Sequence, residues 1–185
     1  MSTYSYSRSK RFSVGPRIAG VLAAAVLGVA SRGMADTWSW TGFDNVIEGN
    51  NNWSATTSGF TNWNHTVVSQ ASPVPVSSAD TIVNFAGEQA SPANEDIANP
   101  FTLNSVIFDA SSVNGSTLQG GTLNLVDSSS NIEPSILQNS PVNEEIDENL
   151  TLGNDTTFGG SGAGLLKIGG SIGGTGGLTS SGSSA

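Results

Sequence analysis

Thr122-Leu123-Asn124-Leu125 and Leu150-Thr151-Leu152 decide the class of this chain. In each stretch the leucines lie two residues apart, so an extended backbone puts them on one face and leaves Asn124 and Thr151 on the other. From Leu123 to Leu150 is 27 positions, and from Leu150 to Leu166 is 16. Short strands that return every ~20 to 30 residues suit a solenoid, whereas a sandwich asks for longer strands and hairpin turns at about 8 to 12 residue spacing. The interval is irregular but favours coils, with Leu123, Leu125, Leu150, Leu152, Leu166 and Ile168 as interior rows.

Outward from these leucines the same grammar holds. Thr37 to Trp40, Asp80 to Phe85, Leu103 to Phe108, Gly121 to Val126 and Leu165 to Ile168 are short runs rich in β-branched or large apolar side chains. Ser128-Ser129-Ser130-Asn131 and Gly159-Gly160-Ser161-Gly162 supply permissive corners between them. Almost no helical periodicity follows Asp36, so the class is all-β. One acidic stretch tests the phase. If Ile146, Leu150 and Leu152 face the core, Glu148 faces it too, and an unpaired buried carboxylate is costly. The expectation is therefore a strand beginning near Asn149, with Asn143 to Glu148 as a solvated corner or edge.

The first 35 residues differ in kind. Arg8, Lys10, Arg11, Arg17 and Arg32 lie there, followed or flanked by the charge-free run Ile18 to Ala30 and the small-residue ending Gly33-Met34-Ala35. Thirteen apolar residues are too few for a ~30 Å hydrocarbon core, which takes about 20, so this reads as a secretory signal peptide cleaved after Ala35. Beyond it Lys167 is the only cation against fifteen carboxylates, a net charge of −14. Such a chain lacks the clustered Lys and Arg that nucleic acid requires, and no second long apolar segment promises stable membrane insertion after cleavage. With no cysteine, export brings no disulfides. The organisation expected is a signal peptide over 1–35, an N-terminal cap region and linker over 36–78, solenoid coils over 79–173 and a fraying Gly/Ser-rich tail over 174–185.

Ser161-Gly-Ala-Gly-Leu-Leu-Lys-Ile-Gly-Gly-Ser-Ile-Gly-Gly-Thr-Gly-Gly-Leu-Thr179 resembles the autotransporter-associated β-strand repeat. The order Trp38-Ser-Trp40-Thr-Gly, Asn51-Asn-Trp53-Ser, Asn62-Trp63 and Asp80-Thr-Ile-Val-Asn-Phe85 is similar to the opening of such proteins. The resemblance implies a right-handed parallel β-helix carried to a bacterial surface as part of a passenger, serving adhesion or display, with no catalytic residues. Proteins of this kind are usually much longer and can end in a membrane barrel, so a fragment, a truncated relative or a passenger without its own translocator is expected. Partners would be a surface glycan or an outer-membrane component, and the chain would be secreted or held at the cell surface.

Candidate chemistry is sparse. His65 is the only histidine, and Asn62-Trp63-Asn64-His65-Thr66 holds no nucleophile elbow. Glu145 and Asp147, two apart on one strand face, have a spacing that two-carboxylate hydrolysis could use, but spacing alone is weak evidence and no enzyme is expected. Asp147, Glu148 and Asp155, with Asn149 and Asn154, offer hard oxygen ligands that suit calcium, although they match neither the EF-hand loop nor the calcium-binding β-roll repeat. Trp38, Trp40, Trp53 and Trp63 crowd into 26 positions. They could stack on sugar rings as a carbohydrate-binding module, the rival reading. The favoured reading is that they cover the first coil of a solenoid, which has no neighbour to bury it.

Overall fold

The computed structural model describes residues 35–43, 46, 49–65, 73–87 and 92–182, so the signal-peptide assignment lies outside the described residues except at Ala35. An N-terminal region comes first, with strands β1 (Asp36–Trp40), β2 (Thr56–Thr57), β3 (Phe60–Thr61) and β4 (Trp63–His65). Four three-stranded coils follow. Coil 1 holds β5 (Thr81–Phe85), β6 (Ala93–Asn94) and β7 (Phe101–Leu103). Coil 2 holds β8 (Ser105–Phe108), β9 (Thr117–Gln119) and β10 (Thr122–Leu125). Coil 3 holds β11 (Ser135–Gln138), β12 (Glu144–Ile146) and β13 (Asn149–Leu152). Coil 4 holds β14 (Thr156–Gly160), β15 (Leu166–Ile168) and β16 (Ile172–Gly174), and β17 (Leu178–Gly182) begins another turn. The chain is an all-β solenoid of about four turns.

Like strands of successive coils pair in parallel and form three sheets. One runs β17-β14-β11-β8-β5-β1-β4, the second β16-β13-β10-β7 and the third β15-β12-β9-β6. Register carries the interior rows from coil to coil. Leu123 lies between Phe101 and Leu150, and Leu125 between Leu103 and Leu152. On the first sheet Val83 stacks on Val106 and Val106 on Ile136, while Phe85 stacks on Phe108 at 5.3 Å between ring centroids. Leu118 stacks on Ile146 in the third. These side chains are fully buried, and because a parallel crossover brings each strand back over its predecessor, one strand's alternation fixes its neighbour's.

The first coil is covered by indoles. Strand β1 pairs in parallel with β5, setting Trp38 over Val83 and Trp40 over Phe85, and it pairs antiparallel with β4. Trp53 packs edge-on against Phe101 at 5.1 Å, and Trp63 sits 4.9 Å from Trp53 and 5.0 Å from Trp40. Large aromatic side chains remove the most apolar area per residue, which suits them to the end of a stack.

At the other end the coils become regular. Oδ1 of Asn139 accepts the Ser161 N–H at 3.0 Å, Asn143 that of Leu165 at 2.9 Å, Asn149 that of Ser171 at 3.1 Å and Asp155 that of Gly177 at 2.7 Å. Each pair spans 22 residues. Corner side chains thus satisfy backbone donors that the sheets do not reach. The connection from coil 2 to coil 3 is longer, since Ser105 pairs with Ser135 and Ser135 with Thr157, and this extra corner is pinned by buried Asn104, whose amide donates to the carbonyls of Val126 and Ile132.

Two sequence expectations are corrected. The tail expected to fray from residue 174 instead contains β17, paired with β14 from Leu178 to Gly182. The acidic run is not a solvated corner: Glu144 to Ile146 is strand, and Glu144, Ile146 and Glu148 all point inward. Pairing with β9 and β15 on either side holds that phase, which overrides the cost of the carboxylates.

Because Leu123 is enclosed by the rows above and below, Leu123→Ala should cost about 3 kcal/mol of unfolding free energy. Denaturant melts of the two proteins measure this, and Asn124→Ala, on the outer face, should change it far less.

Candidate functional site

The residues singled out from sequence fall in three places. The four tryptophans are interior, none more than 4% exposed. Their rings meet one another and Phe85 and Phe101, so they offer no face on which a sugar could stack. His65 joins them: its ring stacks on Trp38 at 4.0 Å and its Nε2 pairs with Asp36, whose other oxygen accepts the Trp38 indole N–H at 3.1 Å. This arrangement ties β1 to β4.

The outward acids are dispersed. Glu145 pairs with Lys167 one coil on, and Asp147 is exposed on the same face. Asp155 lines a shallow cleft of about 320 Å³ with Asp127, Glu133 and Asn154. Glu148 points the opposite way from Asp147 and is 2% exposed. The structure therefore does not gather Asp147, Glu148 and Asp155, and among the described residues no group of three or more His, Cys, Asp or Glu could hold a metal ion.

Among the described residues, the carboxylates of Glu95, Glu144 and Glu148 enter the solenoid, and their surroundings differ. Glu144 is satisfied, its oxygens accepting the Ser112 hydroxyl at 3.0 Å and the Ser116 N–H at 2.5 Å. Glu95 is half satisfied: Oε1 accepts the N–H groups of Ile97 at 2.7 Å and Ala98 at 2.9 Å, and Oε2 has no partner. Neither oxygen of Glu148 has one. Burial, and after it the charge of Glu95, pushes the Glu148 carboxyl up to about 8. Burial raises Glu95 as well, against the pull of the Ala98 and Ile97 N–H groups.

Register brings these two groups to one corner. Thr122 pairs with Asn149 and Leu123 with Phe101, so the preceding positions align Asn99, Gly121 and Glu148 in coils 1, 2 and 3. Gly120 closes over Glu95, where a Cβ would sit 2.1 Å from the Glu95 carbonyl oxygen, and its φ of +139° also requires glycine. At Gly121 a Cβ would lie 3.1 Å from Glu95 Oε2 and 3.3 Å from Asn99 Oδ1. Both oxygens are thus aimed at the space where coil 2 has no side chain. A cleft of about 430 Å³, lined by Glu95, Asn99, Gly120 and Gly121 among others, opens there to solvent.

Sequence reasoning missed Glu95, which lies just after the two-residue strand β6 in a stretch without clear alternation. The available signal was Glu148 itself, in phase with Ile146 and Leu150, together with the glycine pair Gly120-Gly121 one coil earlier. Comparison with protein-family models, with curated proteins and with solved structures finds no match.

The linkage sign is definite. Unfolded Glu148 releases its proton near 4.5 and folded Glu148 near 8, so the folded state holds the extra proton between these values and stability falls as pH rises through them. In chelator-containing buffer the loss should be on the order of 4 kcal/mol, most of it gone by pH 8. Urea melts from pH 5 to 8.5 test this, and Glu148→Gln should flatten the slope.

Proposed function

We propose that the chain is exported, processed after Ala35, and acts as a non-catalytic β-solenoid segment of a secreted or surface-displayed passenger, with a structural or adhesive role. The observation that carries this reading is the stacked interior closed at its first coil by buried indoles. A solenoid of this kind gives length and stiffness from few residues, because each coil needs only its neighbours. The outer faces support the same role, being built of Ser, Thr, Asn and Gly with carboxylates interspersed, a surface that stays soluble and resists edge pairing. The likeness of Ser161–Thr179 to the autotransporter-associated strand repeat and the composition of residues 1–35 point in the same direction. Burial of Trp38, Trp40, Trp53 and Trp63 weighs against the carbohydrate-binding alternative at those residues.

Fractionation of cells producing the chain, followed by N-terminal sequencing, tests the proposal. The expected product begins at Asp36 and is found outside the inner membrane, where limited proteolysis leaves a core reaching Gly182. An intact Met1 form confined to the cytoplasm would refute export.

A further inference from the structure

The geometry points to a calcium site at the corner of coils 1 to 3, held by the carboxylates of Glu95 and Glu148 across the gap at Gly121, with Asn99 at its mouth. It goes beyond the display role and does not depend on it. The starting fact is that Glu148, 98% buried by its 2% exposure, has two carboxylate oxygens with no hydrogen-bond partner, and Glu95, 3% exposed, has a third. Buried charge left in this state is expensive, and a counter-charge between the two groups removes the expense.

No donor of the protein reaches the free oxygen of Glu95 or either oxygen of Glu148, so their charge is met by a proton or by an ion from solution. The backbones carrying Glu95 and Glu148 are two coils apart, about 9.6 Å at the usual strand spacing. Coil 2 contributes the glycine pair Gly120-Gly121 between them, and Gly170 lies above Glu148, where a Cβ would meet the Glu148 carbonyl oxygen at 1.9 Å. Glycine backbone therefore flanks the corner, and the solvent cleft lined by Glu95, Asn99, Gly120 and Gly121 opens beside it.

The donor set selects the ion. All the groups are hard oxygens, carboxylate and amide carbonyl, with neither imidazole nor thiolate among them. Calcium accepts irregular sets of six to eight such oxygens and carboxylates in mono- or bidentate mode, with water completing the shell through the cleft. Magnesium demands near-octahedral geometry and gives up its water reluctantly, so it fits this corner less well. The site shares Glu148 with the sequence expectation, but replaces Asp147 and Asp155, which lie elsewhere, with Glu95 and Asn99.

Isothermal titration of the full chain, stripped with chelator at pH 7.5, tests the site directly. Calcium chloride should bind with one-to-one stoichiometry and a Kd on the order of 10⁻⁴ to 10⁻³ M, and should raise the melting temperature, while magnesium does so at least tenfold less tightly. Glu148→Gln and Glu95→Gln should each weaken binding tenfold or more and abolish the thermal shift. Asp147→Asn should leave both unchanged. Circular dichroism identifies which variants are folded, and either Gln variant suffices for the comparison. Absence of saturable binding by wild type up to about 10 mM calcium would overturn the site. So would wild-type affinity in a folded Gln variant, since the ion would then be held diffusely by the acidic surface.

Discussion

Stacking at strand spacing is the constraint on which the rest of this molecule depends. Parallel coils lie about 4.8 Å apart, so an interior side chain touches the equivalent side chains above and below before it touches anything else. Phe101, Leu123 and Leu150 form one such row, and Val83, Val106 and Ile136 another. A row cannot change phase at one coil without turning every other side chain of that strand outward. The backbone hydrogen bonds of a parallel sheet and the packing of the core therefore impose a single register together.

That shared register explains why carboxylates are found inside. In isolation Glu144 and Glu148 would favour water, but Glu144 lies in β12 and Glu148 in the bend between β12 and β13, and both strands are held by neighbours on either side. For Glu144 the fold supplies Ser112 and the Ser116 N–H, a local solution to the buried charge. For Glu148 it supplies no donor, with glycine in the coils below and above. A carboxyl group in such a setting keeps its proton to higher pH or, once ionised, takes a counter-ion, and both outcomes couple the stability of the solenoid to the solution around it.

Much of the architecture was legible in the leucines. Period-two alternation at Leu123 and Leu125, repeated at Leu150 and Leu152, is enough to specify short half-buried strands, and the distance between the pairs is enough to suggest coils. The 22-residue period of the last coils was hidden because the connection between coils 2 and 3 is lengthened by the corner that Asn104 pins. The phase of the acidic run was hidden for a different reason. A local cost argument placed Glu148 in water, and only the pairing of β12 and β13 with their neighbours shows that the bend between them had no such freedom. Glu95 carried no periodic signal at all, since β6 is two residues long and the carboxylate's position is set by Gly120 closing over it. The tryptophans were read correctly as a cluster, but their burial follows from β1 pairing with β5, a contact between segments 45 residues apart.

The stacked register itself is open to a direct chemical test, because the chain has no cysteine to interfere. Asn124 and Thr151 are outward-facing partners on neighbouring coils. The double variant Asn124→Cys/Thr151→Cys, oxidised mildly in the folded state and mapped by mass spectrometry, should form an intramolecular disulfide in high yield, since paired strands bring Cα atoms within the range that a disulfide spans. Failure of that pair to join, with efficient joining of Asn124→Cys to a cysteine placed at Gly173, two coils away, would contradict the coil-upon-coil interior.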